Sequence, residues 1–149
     1  MGNYLVIGGS SGIGKALTEN LTKEGHTVFA TYCRNEEFQN NTKYSYLDVR
    51  EEIPDLQFLP EQLDGLVYCP GSIDLKPFNR VKTADISADF DLQVNGAIRI
   101  IQAVLPKLKA SQAGSIVLFS TVAVQTGFPF HTQVAVCKGA IEGLTRALA

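Results

Sequence analysis

A glycine-rich segment near the amino terminus, Gly8–Gly14, has the composition of a turn that binds phosphate. It directly follows the apolar run Tyr4–Ile7 and leads into residues with helical periodicity. A strand that ends in such a turn and continues into a helix directs unpaired backbone N–H groups, and the positive end of the helix dipole, at one point. Glycine lets this backbone approach an anion closely because it has no Cβ. We therefore predict a phosphate cradle here, to which an ordinary turn is the alternative.

Three later apolar runs also end in residues that could face a nucleotide. These ends are Asp48–Val49, Cys69–Gly71 and Ser120–Thr121. In a doubly wound sheet, ligands bind beyond the carboxyl ends of the strands, at the switch in strand order. We therefore expect the glycine turn and these three ends to meet at one edge of a sheet.

The elements that must position these residues alternate between strand and helix. Strands are predicted over residues 4–7, 27–31, 44–47, 66–69 and 115–119. Helices are predicted from residue 13 to just before Gly25, over 85–109 and over 133–149. Between the third and fourth strands Pro54 and Pro60 leave room for only one or two helical turns. This alternation predicts an α/β fold, a doubly wound parallel sheet with helices on both faces, formed as a single domain over residues 1–149.

Apolar residues at helical spacing predict the buried face of each helix. They are Ile13, Ala16, Leu17 and Leu21 in the first helix, Phe90, Val94, Ala97, Ile98, Ile101, Leu105 and Leu108 in the long middle helix, and Val136, Ala140, Leu144 and Leu148 in the last. Pro106 is expected to bend or end the last turn of the middle helix.

Composition excludes several classes of partner. A formal charge of −2 does not indicate binding to nucleic acid or to an anionic membrane. The sequence contains no run of about 18 apolar residues, so no membrane span is predicted. Cys33, Cys69 and Cys137 are far apart, so we expect reduced thiols, with neither a disulfide framework nor a metal site. With no basic segment before the first apolar run, the sequence predicts a cytoplasmic protein.

Over its whole length the sequence resembles the short-chain dehydrogenase/reductase family, which consists of Rossmann-fold oxidoreductases. Ile7–Gly14 looks like the T-G-x-x-x-G-I-G cofactor loop of that family, Asp48–Val49 like its adenine-contacting pair, and Tyr68–Gly71 occupies the place of N-N-A-G. Asn95 falls at the structural and proton-relay asparagine, Gly114–Ser120 resembles the strand leading to the catalytic serine, and Lys138–Ala149 resembles the helix of the catalytic lysine. The resemblance implies an NAD(P)-binding Rossmann domain.

The resemblance also implies a set of cofactor-binding residues. They are Gly8, Ser10, Ser11, Gly12, Ile13, Gly14, Arg34, Asp48, Val49, Gly71 and Lys138. The end of the second strand has no acidic residue to bind the 2′-hydroxyl of NAD, whereas Arg34 could bind the 2′-phosphate of NADP. We therefore predict NADP as the cofactor. NAD is the alternative, with Arg34 as an idle surface residue.

The chain departs from the family pattern at its chemistry. Val134 stands where the family has its catalytic tyrosine, Thr121 stands where it has serine, and no tyrosine occurs after Tyr68. A threonine hydroxyl can replace a serine hydroxyl, but valine donates no proton, and loss of a general acid typically costs about 10²–10⁴ in rate. His131, seven residues before Lys138, matches the tyrosine spacing of the related enoyl reductases and is a substitute acid. A loop histidine that faces solvent is the alternative.

These residues predict an NADP-dependent reductase of a small carbonyl compound, with Asn95, Thr121, Lys138 and His131 as its catalytic residues. The alternative is a degenerate family member that binds nucleotide and acts as a sensor or partner subunit. Family members continue with two more strands and a segment that closes over substrate. We therefore expect a fragment of a longer protein with a sheet incomplete at its carboxyl-terminal edge. A homo-oligomer is expected through the helices at 85–109 and 133–149.

Overall fold

The chain forms a parallel β-sheet whose strand order reverses once. The computed structural model describes residues 1–36, 38, 41–54 and 56–149. The strands are β1 (Asn3–Ile7), β2 (Thr27–Tyr32), β3 (Lys43–Tyr46), β4 (Gly65–Tyr68) and β5 (Ser115–Leu118). Their order is β3-β2-β1-β4-β5, and every neighbouring pair is parallel. The predicted fold class is confirmed, and each predicted strand is present with its ends within one residue.

Helices connect the strands and cover the sheet. They are α1 (Gly12–Lys23), α2 (Thr83–Phe90), α3 (Gly96–Lys109), α4 (Ala123–Thr126) and α5 (Thr132–Leu148). In the described part of the chain, no helix is long and apolar enough to cross a membrane. The described residues between β3 and β4 form no helix, and Leu56, Leu59 and Leu63 of that connection pack into the core instead.

The switch point lies between β1 and β4. β1 pairs with β2 on one side and with β4 on the other, so that Leu5 lies opposite both Phe29 and Leu66. The chain moves outward from β1 to β3 and then returns to the other side of β1 at β4. In a doubly wound sheet this arrangement opens a crevice at the carboxyl ends of β1 and β4.

The predicted middle helix is interrupted by a π-helical turn at Asp91–Asn95, between α2 and α3. Such a turn is often found at functional sites. Most of the predicted apolar positions pack into the core: Phe90, Val94, Ala97, Ile98, Ile101 and Leu108. Leu105, predicted to be buried, is exposed, whereas Ile100 and Val104 are completely buried. Pro106 lies inside α3, which ends three residues later.

The predicted stripe of α1 is wrong at its beginning. Ile13 and Ala16 are exposed, and the fully buried positions are Gly14 and Thr18. Gly14 is buried because α1 begins in direct contact with the backbone of Gly8. Ile13 instead faces the crevice at the end of β1.

The predicted stripe of α5 is only partly right. Ala140 and Leu144 pack against the core as predicted, whereas Val136 and Leu148 are exposed. The most buried positions are Gln133, Val134, Cys137 and Ile141. The buried face of α5 is therefore turned by about one residue from the face that apolar spacing predicts. Part of this face is polar because it packs against α2, which also carries buried polar groups.

Candidate functional site

A cleft of about 770 Å³ opens at the carboxyl ends of β1–β4. Its walls are the glycine turn, the residues that follow β2, β3 and β4, one face of α2 and the beginning of α5. The volume is within the range of small-molecule sites in proteins. Of the predicted cofactor-binding residues, the following line it: Gly8, Ser10, Ser11, Gly12, Ile13, Gly14, Arg34, Asp48, Val49 and Gly71.

The glycine turn is held in place by β2. The N–H of Gly8 donates to Thr31 Oγ1 at 3.1 Å, and the N–H of Gly9 donates to the Thr31 carbonyl oxygen at 2.9 Å. Gly8 has φ +75°, in the left-handed region that glycine adopts without strain. These contacts fix the turn against the end of β2.

The amino terminus of α1 has no side-chain cap. Ser11 is the N-cap residue, and its hydroxyl bonds no backbone N–H of the helix. The N–H groups of the first helical turn have no partner within the helix and lie on the lining of the cleft. Gly14 can lie directly on Gly8 because a Cβ at Gly14 would overlap the Gly8 carbonyl oxygen. The terminus is thus built to accept an anion.

Two arginines lie at the β2 and β3 side of the cleft. Arg34 follows β2 and is exposed. Arg50 donates from Nε to Asp48 Oδ1 at 2.9 Å, and its Nη2 forms an ion pair with Asp48 Oδ2. The Arg50 hydrogen bonds lower the pKa of Asp48 to about 2, although burial opposes this shift. The sequence prediction placed Asp48 here but missed Arg50, which is two residues further along the chain.

Lys138 lies behind the β4 end of the cleft rather than on its lining. Gly71 separates Lys138 from the cleft: the point that a Cβ of Gly71 would occupy lies 3.7 Å from Lys138 Nζ and 3.4 Å from Gln93 Oε1. Burial lowers the pKa of the Lys138 ammonium, and the charge of Asp89 opposes this shift. Burial also raises the pKa of the nearby Cys69 thiol to about 11.

The other predicted catalytic residues do not line this cleft. Asn95 lies in the π-helical turn and donates from Nδ2 to Asp91 Oδ1 at 3.2 Å. Thr121 Oγ1 accepts a hydrogen bond from the N–H of Ala123 at 3.3 Å, just before α4.

The candidate acid and the valine in the tyrosine position both lie at the beginning of α5. His131 is its N-cap residue, with Nδ1 2.7 Å from the Pro129 carbonyl oxygen and its ring against Phe128. Val134 is buried, one helical turn before Lys138. No phenol or other acid therefore occupies the tyrosine position.

A buried polar cluster between α2 and α5 was not predicted. Asp89, which is 4% exposed, accepts hydrogen bonds from Ser72 Oγ, from Gln93 Nε2 at 2.8 Å and from Cys137 Sγ at 3.7 Å. Apolar spacing cannot reveal such a cluster, because its members lie outside the apolar stripes that the spacing predicts. In the described residues no group of three metal-binding side chains is placed to hold an ion.

Tyr68 connects the end of β4 to the π-helical turn. Its hydroxyl donates to the Leu92 carbonyl oxygen at 2.5 Å and lies against Gly96, where a Cβ would overlap it. Burial raises the pKa of this phenol, so it remains a neutral donor at physiological pH. Tyr68 thus has a structural role at this end of the cleft.

The chain matches the model of the family described as short chain dehydrogenase over residues 3–149. It is 32% identical to a tropinone reductase homolog of Arabidopsis thaliana over 99% of this chain and 63% of that protein. It is 25% identical to a 3-ketodihydrosphingosine reductase of Bacteroides thetaiotaomicron over 97% of this chain and 56% of that protein. A solved short-chain dehydrogenase of Streptomyces avermitilis, 27% identical, superposes with a TM-score of 0.89 over 99% of this chain and 59% of that one. The chain therefore spans somewhat over half the length of these relatives.

Proposed function

The chain belongs to the short-chain dehydrogenase family, and on that basis we propose that it is an NADP-dependent oxidoreductase of a small carbonyl or alcohol substrate. Members of this family bind NAD(P). The observation that carries the choice of NADP is Arg34, which lies in the same cleft as the uncapped amino terminus of α1 and follows a strand end without an acidic residue.

The residues of the cleft fit a dinucleotide. Gly14 and Gly8 bring the helix terminus and the turn into direct contact, and Gly12, at φ +51°, has open space around its missing Cβ. The N–H groups of the turn would bind the pyrophosphate, and Arg34 would bind the 2′-phosphate. Asp48 and Val49 would contact the adenine, with Asp48 kept ionised and oriented by Arg50.

At the other end, Lys138 would hold the nicotinamide ribose from behind Gly71. The nicotinamide, when bound, supplies the hydride. The Thr121 oxygen accepts from Ala123, which leaves its hydroxyl hydrogen free to bind the substrate oxygen. Val134 donates no proton, so His131 or water supplies it, with Asn95 holding a relay water.

Fluorescence titrations with NADPH and NADH test the cofactor. We expect NADPH to bind more tightly than NADH. Arg34→Ala should weaken NADPH binding about tenfold or more and leave NADH binding unchanged, because a charge-assisted hydrogen bond is worth about 1.5–3 kcal/mol. Arg80→Ala removes an exposed arginine outside the cleft and is the matched control. Equal affinities in the parent chain, or an unchanged Arg34→Ala variant, would reject NADP.

The Val134→Tyr variant tests turnover. A phenol one turn before Lys138 restores a proton donor, and we expect carbonyl reduction to rise by about 10²–10⁴. Val134 is buried, so circular dichroism must first show that the variant folds. A folded variant that binds NADPH and stays inert would favour a nucleotide-binding sensor or partner subunit. His131→Phe in the parent chain then separates histidine from water as proton donor.

A further inference from the structure

The two ends of the cleft carry opposite charge. The end near β2 and β3 has Arg34 and Arg50 against Asp48. The end near α2 is lined by three carboxylates, those of Asp74, Asp85 and Asp89. This second end is where a substrate would meet the nicotinamide, since it adjoins Gly71 and Lys138.

One cation neutralises part of this acidic end. Lys76 Nζ lies 2.6 Å from Asp74 Oδ2 and 3.0 Å from Asp85 Oδ2. Asp89 forms no ion pair with any residue that the structure describes, and its hydrogen-bond donors, Ser72, Gln93 and Cys137, are all neutral. The acidic end therefore retains a carboxylate without a contacting cation, although its charge acts on the Lys138 ammonium.

An amide oxygen at the same end lacks a donor. Gln133 lines the cleft and is 5% exposed, and its Oε1 has no hydrogen-bond partner among the described residues. An acceptor that is buried without a donor typically costs about 1–3 kcal/mol. A ligand that donates a hydrogen bond here would remove that cost.

The acceptors lie on two helix faces that meet. Asp85 and Asp89 are four residues apart on α2, and Gln133 and Cys137 are four residues apart on α5, so each pair shares a face. The contact between Cys137 Sγ and Asp89 Oδ2 joins these faces. Negative charge and an unpaired acceptor therefore lie at one place on the cleft.

We infer that the substrate is an amino ketone, or the corresponding amino alcohol, whose protonated amine is bound between α2 and α5 by Asp85, Asp89 and Gln133. Lys76 and Lys138 offset only part of the charge of the three carboxylates. A protonated amine supplies further positive charge and the N–H donor that Gln133 Oε1 lacks. A neutral ketone would leave Gln133 Oε1 unpaired, and a carboxylate substrate would be repelled. This inference rests on the proposed function for the position of the carbonyl.

The test compares two ketones of the same size and shape. N-methyl-4-piperidone is protonated at neutral pH, and 4-methylcyclohexanone has carbon in place of the nitrogen. Each is titrated by calorimetry into the chain with and without NADPH, so the readout does not require turnover. We expect the cation to bind about tenfold or more tightly, the effect of one charge-assisted hydrogen bond.

Three variants locate the amine site. Asp89→Asn and Gln133→Leu should each reduce the preference for the cation severalfold, and Asp85→Asn, at the half-exposed rim, covers the case in which a buried substitution unfolds the chain. Glu61→Gln removes a fully exposed carboxylate outside the cleft and should leave the preference unchanged.

Several outcomes overturn the inference. Equal affinity for the two ketones does so, as does a preference that survives all three substitutions. Variants that lose affinity for NADP⁺ relative to NADPH, with unchanged ketone binding, would show that the carboxylates serve the cationic nicotinamide instead. Absence of NADPH binding would reject the proposed function separately, because the ketone titrations without NADPH still decide whether the amine is recognised.

Discussion

Substitution of Gly14 by alanine tests whether the phosphate cradle depends on direct contact between α1 and the glycine turn. An alanine Cβ at Gly14 would overlap the Gly8 carbonyl oxygen and would lie 3.0 Å from its carbonyl carbon. Both neighbours are backbone atoms, which cannot move aside by changing rotamer. Either α1 or the turn must therefore shift.

Gly143 offers the matched substitution. It lies in α5, with open space around the position of its missing Cβ. Alanine favours a helix over glycine by about 1 kcal/mol, and this gain applies to both sites. We therefore expect Gly143→Ala to raise the free energy of unfolding by about 1 kcal/mol. Overpacking at Gly14 costs about 1–3 kcal/mol. The free energy of unfolding of Gly14→Ala should therefore be lower than that of Gly143→Ala by this amount.

Thermal and urea unfolding measure this difference. For a chain of about this length, about 1–3 kcal/mol corresponds to roughly 2–12 °C between the melting temperatures of the two variants. NADPH titration adds a second readout: Gly14→Ala should weaken binding severalfold because the N–H groups of the cradle are displaced, and Gly143→Ala should leave it unchanged. Equal stability and equal NADPH affinity of the two variants would refute the close contact and its role in the cradle.

Two further predictions concern the cleft and the core. Because Arg50 lowers the pKa of Asp48 to about 2 from 3.8, their pairing stabilises the fold fully above about pH 4 and is lost as the pH falls through 2. That shift represents about 2.5 kcal/mol, which solvent screening at Arg50, 44% exposed, reduces to about 1 kcal/mol. In urea unfolding, Asp48→Asn should therefore lower the free energy of unfolding by about 1 kcal/mol at pH 7 and by clearly less at pH 3. Equal losses at the two pH values would contradict this. Ile100→Ala, at a fully buried position of α3, should lower the free energy of unfolding by about 2–5 kcal/mol, whereas the exposed Leu105→Ala should cost less than about 1 kcal/mol; similar losses would contradict the burial of this helix.

The inner strands β1, β2 and β4 could be predicted from sequence because parallel strands buried on both faces are continuous apolar runs. Leu5, Val6 and Ile7 of β1 are almost completely buried, and the glycine turn marks the end of this strand. The residues that follow each strand could then be assigned to one edge, because the carboxyl ends of parallel strands lie together. This rule placed Asp48 and Gly71 on the same cleft, but Ser120 and Thr121, which were expected there too, do not line it.

The helix faces could not be predicted as well, because apolar spacing assumes that a helix is regular and packs through its apolar side. Asp91–Asn95 breaks that regularity with a wider turn, and beyond it Leu105 is exposed although the other predicted apolar positions pack into the core. The buried position Gly14 has no side chain at all and is recognised only by its contact with Gly8. Sequence spacing registers neither kind of feature.

The polar groups of α2 and α5 show why this end of the cleft was harder to predict than the glycine turn. The turn is made of backbone, and its glycines are visible in the sequence. The end at α2 and α5 depends on which side chains of two distant helices face one another, and Asp89 and Gln133 are 44 positions apart in the chain. Burying Asp89 without a contacting cation is costly, unless the hydrogen bonds from Gln93 and its neighbours and a bound cation compensate. If the amine test fails and Asp89→Asn destabilises the chain, the buried carboxylate must instead balance the charge of Lys138, whose pKa it raises against the effect of burial.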